Sequence, residues 1–331
     1  MKTCAIVILN YNGEEMLARF LPSVVTNSQF DIWVIDNAST DQSIAFLEKE
    51  FPHVFLEKLN QNFGYAGGYN RGLEKFKGSY QYYILLNSDV EVTQGWDVTL
   101  INYLQENQNL AAVQPKILSA VDRHQFDYAG AGGGFLDSLY YPYCRGRIWN
   151  QIETDEGQYD DDCLVDWTSG ACFAIRSDLF HELKGFDDHF FAHMEEIDLC
   201  LRIRQLGFDL AYTSKSTIYH LGGATLDRSS PKKLELNIRN SLSMIYKNLP
   251  ASSFWWVFIQ KGILELIAGI GYFFQGKSHL GKAVFQGYVG FFRQRSIFTP
   301  GTNKKKIPFL GPSSYVFIDF FFRRRKKFSE L

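Results

Sequence analysis

Short apolar runs that stop abruptly at polar residues alternate with longer segments of helical period along the first hundred positions. The sharpest covers residues 82–86, Tyr-Tyr-Ile-Leu-Leu, and breaks at Asn87, Ser88 and Asp89. A run this short, aromatic and aliphatic throughout, reads as a strand buried on both faces. Residues 5–9 end in the same way at Asn10-Tyr11-Asn12-Gly13, and residues 32–35 at Asp36-Asn37-Ala38-Ser39-Thr40-Asp41. Between them, Met16, Leu17, Phe20, Leu21 and Val24 fall on one helical face, and a second helix runs to Glu50 with Ser39 or Thr40 as its N-cap. A third strand at 54–56 is followed by a glycine-rich segment, 60–72, that leads into another helix. This alternation predicts a parallel, doubly wound sheet. Its polar strand ends then share one edge, where open α/β sheets bind ligands.

The pattern continues less regularly. Residues 94–107 read as a helix with Trp96, Leu100 and Leu104 inward, and 113–118 as a strand. Residues 126–162 are rich in Gly and Tyr, then acidic, with no period, and read as a long loop. Residues 164–176 read as one strand. A helix begins near Glu195 and packs by Leu199, Ile203 and Leu206.

Charge divides the chain. From Pro250 onward there are 13 Lys/Arg against 3 Asp/Glu, a net +10, so the first 249 residues carry −12 of the total of −2. An acidic body with a basic, aromatic tail does not resemble a nucleic-acid-binding surface and suits an enzyme with an anchoring segment. The five cysteines are scattered, without a C-x-x-C pair, which fits a reducing cytoplasm rather than a disulfide framework or structural zinc. The first nine residues lack the charged and apolar regions of a secretory leader.

Several residues have two readings. Asn87-Ser88-Asp89 is either a turn or the mouth of a crevice, with Asp89 an oxygen ligand for a phosphate-bound dication. Asp36 is a turn residue or an acceptor for a base or ribose. The glycines at 64, 67 and 68 allow close backbone approach to phosphate, but the spacing is neither G-x-G-x-x-G after the first strand nor a Walker A loop. Glu195, Glu196 and Asp198 crowd the first turn of a helix, where the dipole alone favours them, and Asp198 with Arg202 has the spacing of a plain ion pair. A carboxylate there could equally act as a general base.

Taken together, 8–12, 34–41, 62–72 and 85–89 occur in the order and spacing of the family 2 glycosyltransferases, and the set resembles the branch containing bacterial rhamnosyltransferases. The resemblance covers about residues 3–250 and implies a GT-A type fold, a Rossmann-like, mostly parallel sheet flanked by helices. It implies that Asn10, Asn12, Asp36 and Asn37 bind the donor nucleoside, and that Asn62, Gly64 and Asn70 shape the diphosphate and sugar pocket. Asn87 and Asp89 take the place of the family's D-x-D metal motif. Asn87 replaces the first Asp and Ser88 the usual Pro, so one carboxylate remains.

The same resemblance places His220 as a second ligand for Mn²⁺ or Mg²⁺ and puts Trp167 and Gly170 under the sugars, although a core Trp is an equal reading for Trp167. It puts 126–162 on the acceptor side. It maps the catalytic Glu-Asp pair onto Glu195-Glu196, with Glu196 favoured as base, Glu195 or Asp198 holding acceptor hydroxyls, and the roles exchangeable. The activity implied is inverting transfer from a UDP- or dTDP-sugar to a glycan or lipid-linked glycan in cell-surface polysaccharide synthesis. A sugar-1-phosphate nucleotidyltransferase would want a basic, Gly-rich first loop, whereas Asn10-Tyr11-Asn12-Gly13 is followed by two glutamates. A decayed, non-catalytic scaffold is the other alternative.

Residues 1–249 thus form the expected catalytic domain and 250–331 a helical extension. Residues 253–274 are aromatic and aliphatic, but Lys261 and Glu265 within them argue against a membrane-spanning helix. A surface-lying helix suits the segment, aided by 285–298, by the lysines at 304–306 and by the basic run 323–327. That would make the enzyme peripheral on the cytoplasmic face of the inner membrane. A soluble hairpin packed on the body, or used to form a homo-oligomer, fits as well.

Overall fold

The computed structural model describes residues 1–222, 230–301 and 307–331. Gly223, Ala224 and Thr225, and the lysines at 304–306, lie outside the described residues.

The first half builds the expected alternation. Strand β1 (Lys2–Asn10), helix α1 (Glu14–Asn27), β2 (Asp31–Asp36), α2 (Ser43–Glu50), β3 (Phe55–Lys58), α3 (Gly64–Glu74) and β4 (Tyr80–Asn87) follow one another. β3, β2, β1 and β4 lie side by side and parallel. Ala5, Ile6, Val7 and Ile8 of β1 are all buried, as are Tyr83, Ile84, Leu85 and Leu86 of β4. Each fully buried aliphatic side chain of this kind contributes about 1.5–3 kcal/mol. Neither Ser39 nor Thr40 caps α2. Asp41 instead folds back to accept from the Ser43 backbone N–H (3.0 Å) and hydroxyl, delaying the helix by two residues. In α3 the glycines serve packing. A Cβ on Gly72 would stand 2.1 Å from Ile35 Cδ1, so only glycine lets the helix lie this close to the sheet.

Beyond β4 the sheet becomes mixed. Short β5 (Val90–Val92) and α4 (Trp96–Glu106) lead to β6 (Leu110–Ser119). Residues 126–162 are not a long loop. They carry β7 (Gly134–Leu136), β8 (Pro142–Cys144), β9 (Arg147–Ile148) and β10 (Gln151–Ile152), a small antiparallel sheet with Phe135, Tyr143 and Ile148 buried. Two- and three-residue strands leave no window long enough for a period to show. The single strand expected at 164–176 is two, β11 (Cys163–Val165) and β12 (Cys172–Arg176), joined across 166–171. β12 runs antiparallel between β4 and β6. After α5 (Ser177–Glu182) and α6 (Glu195–Gln205), β13 (Asp209–His220) joins parallel to β6, giving the order β11-β13-β6-β12-β4-β1-β2-β3 with β5 on β13. Asn87, the 169–171 turn and His220 therefore meet on one edge: the Asn87 N–H donates to Ala171 O at 2.9 Å.

Three helices follow, α7 (Pro231–Asn248), α8 (Ala251–Phe274) and α9 (Ser278–Gln294), with α9 packed on both others. The chain then returns to the body. Leu310 N–H donates to Asp166, Val316 N–H to Asp137 at the start of α10 (Val316–Phe321), and the Phe328 ring meets Phe135 at 5.2 Å. The tail is thus a strap across the small sheet, and Arg323 and Arg325 are drawn onto Asp319 at 3.0 and 3.1 Å.

Candidate active site

The ends of β1 and β2 are tied into a closed network. Asp36 accepts from Asn10 Nδ2 (2.9 Å) and from the Ser39 N–H (2.8 Å). Asn37 donates to Asn62 Oδ1 and Gly64 O, both at 3.0 Å, and accepts from the Phe63 N–H. Asn12 Oδ1 accepts from the Thr40 N–H at 2.7 Å. Asn10, Asp36 and Asn37 are almost wholly buried, and only Asn10 Oδ1 has no partner among the described residues.

The entrance to α3 is also occupied. The Gly64 N–H donates to Asn62 Oδ1 and the Tyr65 N–H to Phe191 O at 2.9 Å, so the amides that the sequence seemed to offer to phosphate are taken. Gly64 has φ +71° and a Cβ there would meet the Phe191 ring at 2.7 Å. Asn70 braces α3 against the segment before α6, donating to Phe186 O (2.7 Å) and Asp188 (2.6 Å). None of these seven residues lines the cavity described next. They set the geometry of its surroundings.

A cavity of about 370 Å³ opens at the polar sheet edge, and Asn87, Asp89, Trp167, Gly170, Glu195, Glu196 and His220 all line it. On one side His220 stands between two carboxylates, Nε2 at 3.3 Å from Asp89 and Nδ1 at 2.7 Å from Asp127. All three are buried. Burial works against charge on the imidazole, but the hydrogen bonds to Asp127 and Asp89 override it and lift the ring to about 10. Burial would likewise raise Asp89, yet its hydrogen bond and ion pair with His220 hold it below the ordinary carboxyl range.

The donor set fits one divalent cation. Asp89 Oδ1 and His220 Nε2 converge, the Gly222 N–H steadies the other Asp89 oxygen at 3.2 Å, and Asp127 orients the ring through Nδ1, so a cation bound here would displace the Nε2 proton that pairs the ring with Asp89. Among the described residues no three His, Cys, Asp or Glu side chains gather on one point. The described residues thus offer two ligands, with water and phosphate oxygens available for other positions, and a nitrogen between them suits Mn²⁺ as well as Mg²⁺. Asp127 was missed in the sequence because it lies in the stretch read as a loop.

The opposite wall is the start of α6. Glu195 Oε2, Glu196 Oε2 and His193 Nε2 are buried atoms without a hydrogen-bond partner among the described residues, and all three residues line the cavity. Burial pushes Glu195 well above the usual range, and the neighbouring Glu196 adds to this, whereas Glu196, which is partly exposed, rises to about 7. Two carboxylates this close do not both ionise readily, so the pair gives up its protons in two steps and between them offers one carboxylate and one hydrogen-bond donor. Gly170 passes directly beneath: its carbonyl accepts from Tyr65 Oη at 2.8 Å, and a Cβ there would come 3.9 Å from Glu196 Cδ. Trp167 is a buried core residue whose Nε1 donates to Phe135 O, and it also borders the cavity.

Asp198 does not belong to this wall. It is fully buried and accepts from Arg202 Nε (2.8 Å), Lys247 Nζ (2.9 Å) and Asn248 Nδ2 (2.8 Å). Helical spacing turns it a full 200° from Glu196, into the contact with α7. Tyr141 and Trp149, which also line the cavity, come from the small sheet and left no signal in the sequence beyond aromatic richness.

The approach to α6 is strained. Phe191, His193 and Met194 have φ of +64°, +71° and +72°. Asn240 of α7 holds them by donating from Nδ2 to the carbonyls of Phe190, Ala192 and His193 at 3.0, 2.8 and 2.8 Å. Asn240→Asp replaces that donor with an acceptor facing three carbonyls. It is expected to destabilise the fold by about 1–3 kcal/mol, read from the urea midpoint, and to lower kcat at temperatures where the protein stays folded.

Fold and cavity together are those of a GT-A glycosyltransferase. The chain belongs to glycosyl transferase family 2, whose sequence profile matches residues 5–184, more than half its length. It is a glycosyltransferase. Among its relatives is the N-acetylglucosaminyl-diphospho-decaprenol L-rhamnosyltransferase of Mycobacterium tuberculosis, 23% identical over 267 residues, or 76% of this chain and 85% of that one. Rhamnosyltransferase WbbL of Escherichia coli K12 is 23% identical over 224 residues, 62% of this chain and 79% of its own. Among solved structures, GalNAc-T7 with UDP, GalNAc and Mn²⁺ superposes with a TM-score of 0.55 at 18% identity, covering 75% of this chain and 48% of that one.

Proposed function

We propose that the protein transfers a sugar from a nucleoside-diphosphate donor, UDP- or dTDP-linked, to a hydroxyl of a lipid-linked glycan, with inversion, in cell-surface polysaccharide assembly at the cytoplasmic face of the inner membrane. The observation that carries this reading is the facing of two unlike walls across one cavity, Asp89–His220–Asp127 against Glu195–Glu196. The lipid-linked acceptor is supported by the name of the mycobacterial relative.

Asp89 and His220 would hold the dication, which would supply positive charge against the departing nucleoside diphosphate. Glu196 accepts the proton of the acceptor hydroxyl as its oxygen attacks the anomeric carbon. The bond from that carbon to the phosphate oxygen breaks and its electron pair leaves with the nucleotide. Protonated Glu195 donates to an acceptor or sugar oxygen and keeps the hydroxyl aligned. Tyr141, Trp149 and Trp167 offer flat apolar faces to the pyranose rings. A single displacement needs no enzyme nucleophile.

The test is a melting-temperature screen with UDP, dTDP, GDP and CDP, each with and without Mn²⁺. One or two nucleotides are expected to stabilise the protein only with the metal, and Asp89→Ala to abolish that gain. Equal stabilisation of wild type and Asp89→Ala would remove Asp89 from the metal site.

A further inference from the structure

Helix α8 is 24 residues long and lies mostly outside the packed body. Trp255, Trp256, Ile263, Ile267, Ile270 and Phe274 are all exposed, Trp256 by 67% and Phe274 by 89%. At 100° per residue they fall within an arc of about 120°, and from Trp255 to Phe274 the stripe is about 28 Å long. The two charges that the sequence places in this segment are on the other side. Lys261 is buried, 3.3 Å above the Tyr141 ring, and pairs with Glu265, which also accepts from the hydroxyls of Tyr141 and Tyr288. The outer face is therefore apolar without interruption.

We propose that this face of α8, with the adjoining edge of α9, docks onto an anionic lipid bilayer, the helix lying in the interface and not crossing it. Crossing is disfavoured because the inner side of α8 is seated on α9 and on Tyr141 through Phe254, Val257, Lys261 and Glu265. The charge distribution selects the occupant. Glu265 is the sole acidic residue in 251–301, whereas Lys277, Lys282, Arg293 and Arg295 are exposed. Lys282 and Arg293 border the same groove between α8 and α9 as Leu266, Ile270 and Phe285. A second copy of this face would set like charges against one another, while anionic headgroups would complement them.

The use of the surface, presenting the cavity to a lipid-linked acceptor, rests on the function proposed above. Its structural link is Tyr141, which lines the cavity and is gripped from behind by the Lys261–Glu265 pair of α8. A bilayer against the outer face of α8 is then separated from the Tyr141 wall of the cavity by the thickness of this one helix, about 10 Å.

Flotation of the full chain with vesicles tests the proposal, using phosphatidylcholine alone and phosphatidylcholine doped with phosphatidylglycerol. Wild type is expected to float with the doped vesicles, less with the neutral ones, and less again in high salt. Trp256→Glu with Ile267→Glu should weaken binding to both by at least roughly tenfold. Lys277→Glu with Lys282→Glu should weaken binding to doped vesicles alone, by at least roughly fivefold per residue. These positions are on the surface, so the melting temperature and its response to nucleotide with Mn²⁺ should not change. The proposal is overturned if wild type floats with neither vesicle, if the apolar variant floats unchanged, or if light scattering shows a dimer that the same substitutions dissociate. Flotation without any nucleotide response would leave the docking surface standing and remove the transferase chemistry assigned to the cavity.

Discussion

Glu196→Gln is expected to lower the rate of sugar transfer by about 10²–10⁴-fold, the usual contribution of a positioned general base, while nucleotide binding with Mn²⁺ is retained. Glutamine keeps the shape of the side chain at the start of α6 and removes only its ability to take a proton. Glu195→Gln should cost less, because Glu195 acts as a protonated donor and an amide still donates. The pH profile separates the two. In wild type, kcat/KM should rise with pH through about 7 as Glu196 ionises, since burial holds its carboxyl there. The rise should persist in Glu195→Gln and vanish from the residual activity of Glu196→Gln. Equal losses from both glutamines, with no ionisation near neutrality, would return the two roles to being exchangeable.

The same carboxyl has the opposite effect on stability. Its folded pKa lies above the ordinary 4.5, so its contribution to folding is complete below 4.5 and is lost as pH rises through about 7. Activity and this part of the stability thus change in opposite directions across that window. A denaturant titration at pH 5 and pH 8 should show the difference reduced in Glu196→Gln, which does not titrate.

Asp198→Ala is expected to destabilise the protein by about 3–5 kcal/mol, the cost of stripping a buried ion-pair network of its anion. Arg202 and Lys247 would both lose a partner, although Lys247 keeps Asp187 at 2.5 Å and Arg202 keeps the carbonyls of Leu183 and Gly185. Urea unfolding measures the loss, and nucleotide binding below the melting transition should be close to normal. Had Asp198 held acceptor hydroxyls, kcat or KM would fall with stability unchanged. That outcome would reverse its assignment. The network locks α6 to α7 and to the 183–185 turn, and so fixes the helix start that carries Glu195 and Glu196.

The parallel half of the sheet was legible because its strands are buried on both faces and stop at polar residues, so composition alone marks their ends. The small sheet from Gly134 to Ile152 was not, because strands of two or three residues carry no period and owe their burial to Phe328 and the returning tail. Asp127 was hidden for the same reason. The sequence shows that Gly64, Gly67 and Gly68 allow close backbone approach but not to what: Gly64 and Gly68, with Gly72, let α3 press against Phe191, Leu9 and Ile35, the first more than a hundred residues away.

What the sequence determined by itself is the family pattern, the strand-end polar residues and the presence of three acidic residues at a helix start. Those follow from local period and from spacing along the chain. The tertiary structure alone decided which of the carboxylates face a common cavity. Glu195 and Asp198 are three positions apart and both carry carboxyl groups, but one borders the cavity and the other is enclosed by Arg202, Lys247 and Asn248. It also decided the character of α8, whose Lys261 and Glu265 count against a membrane-spanning helix in the sequence and are turned inward in the fold. Sequence records the identity of a charge, whereas the direction in which a helix presents it depends on packing against residues far away in the chain.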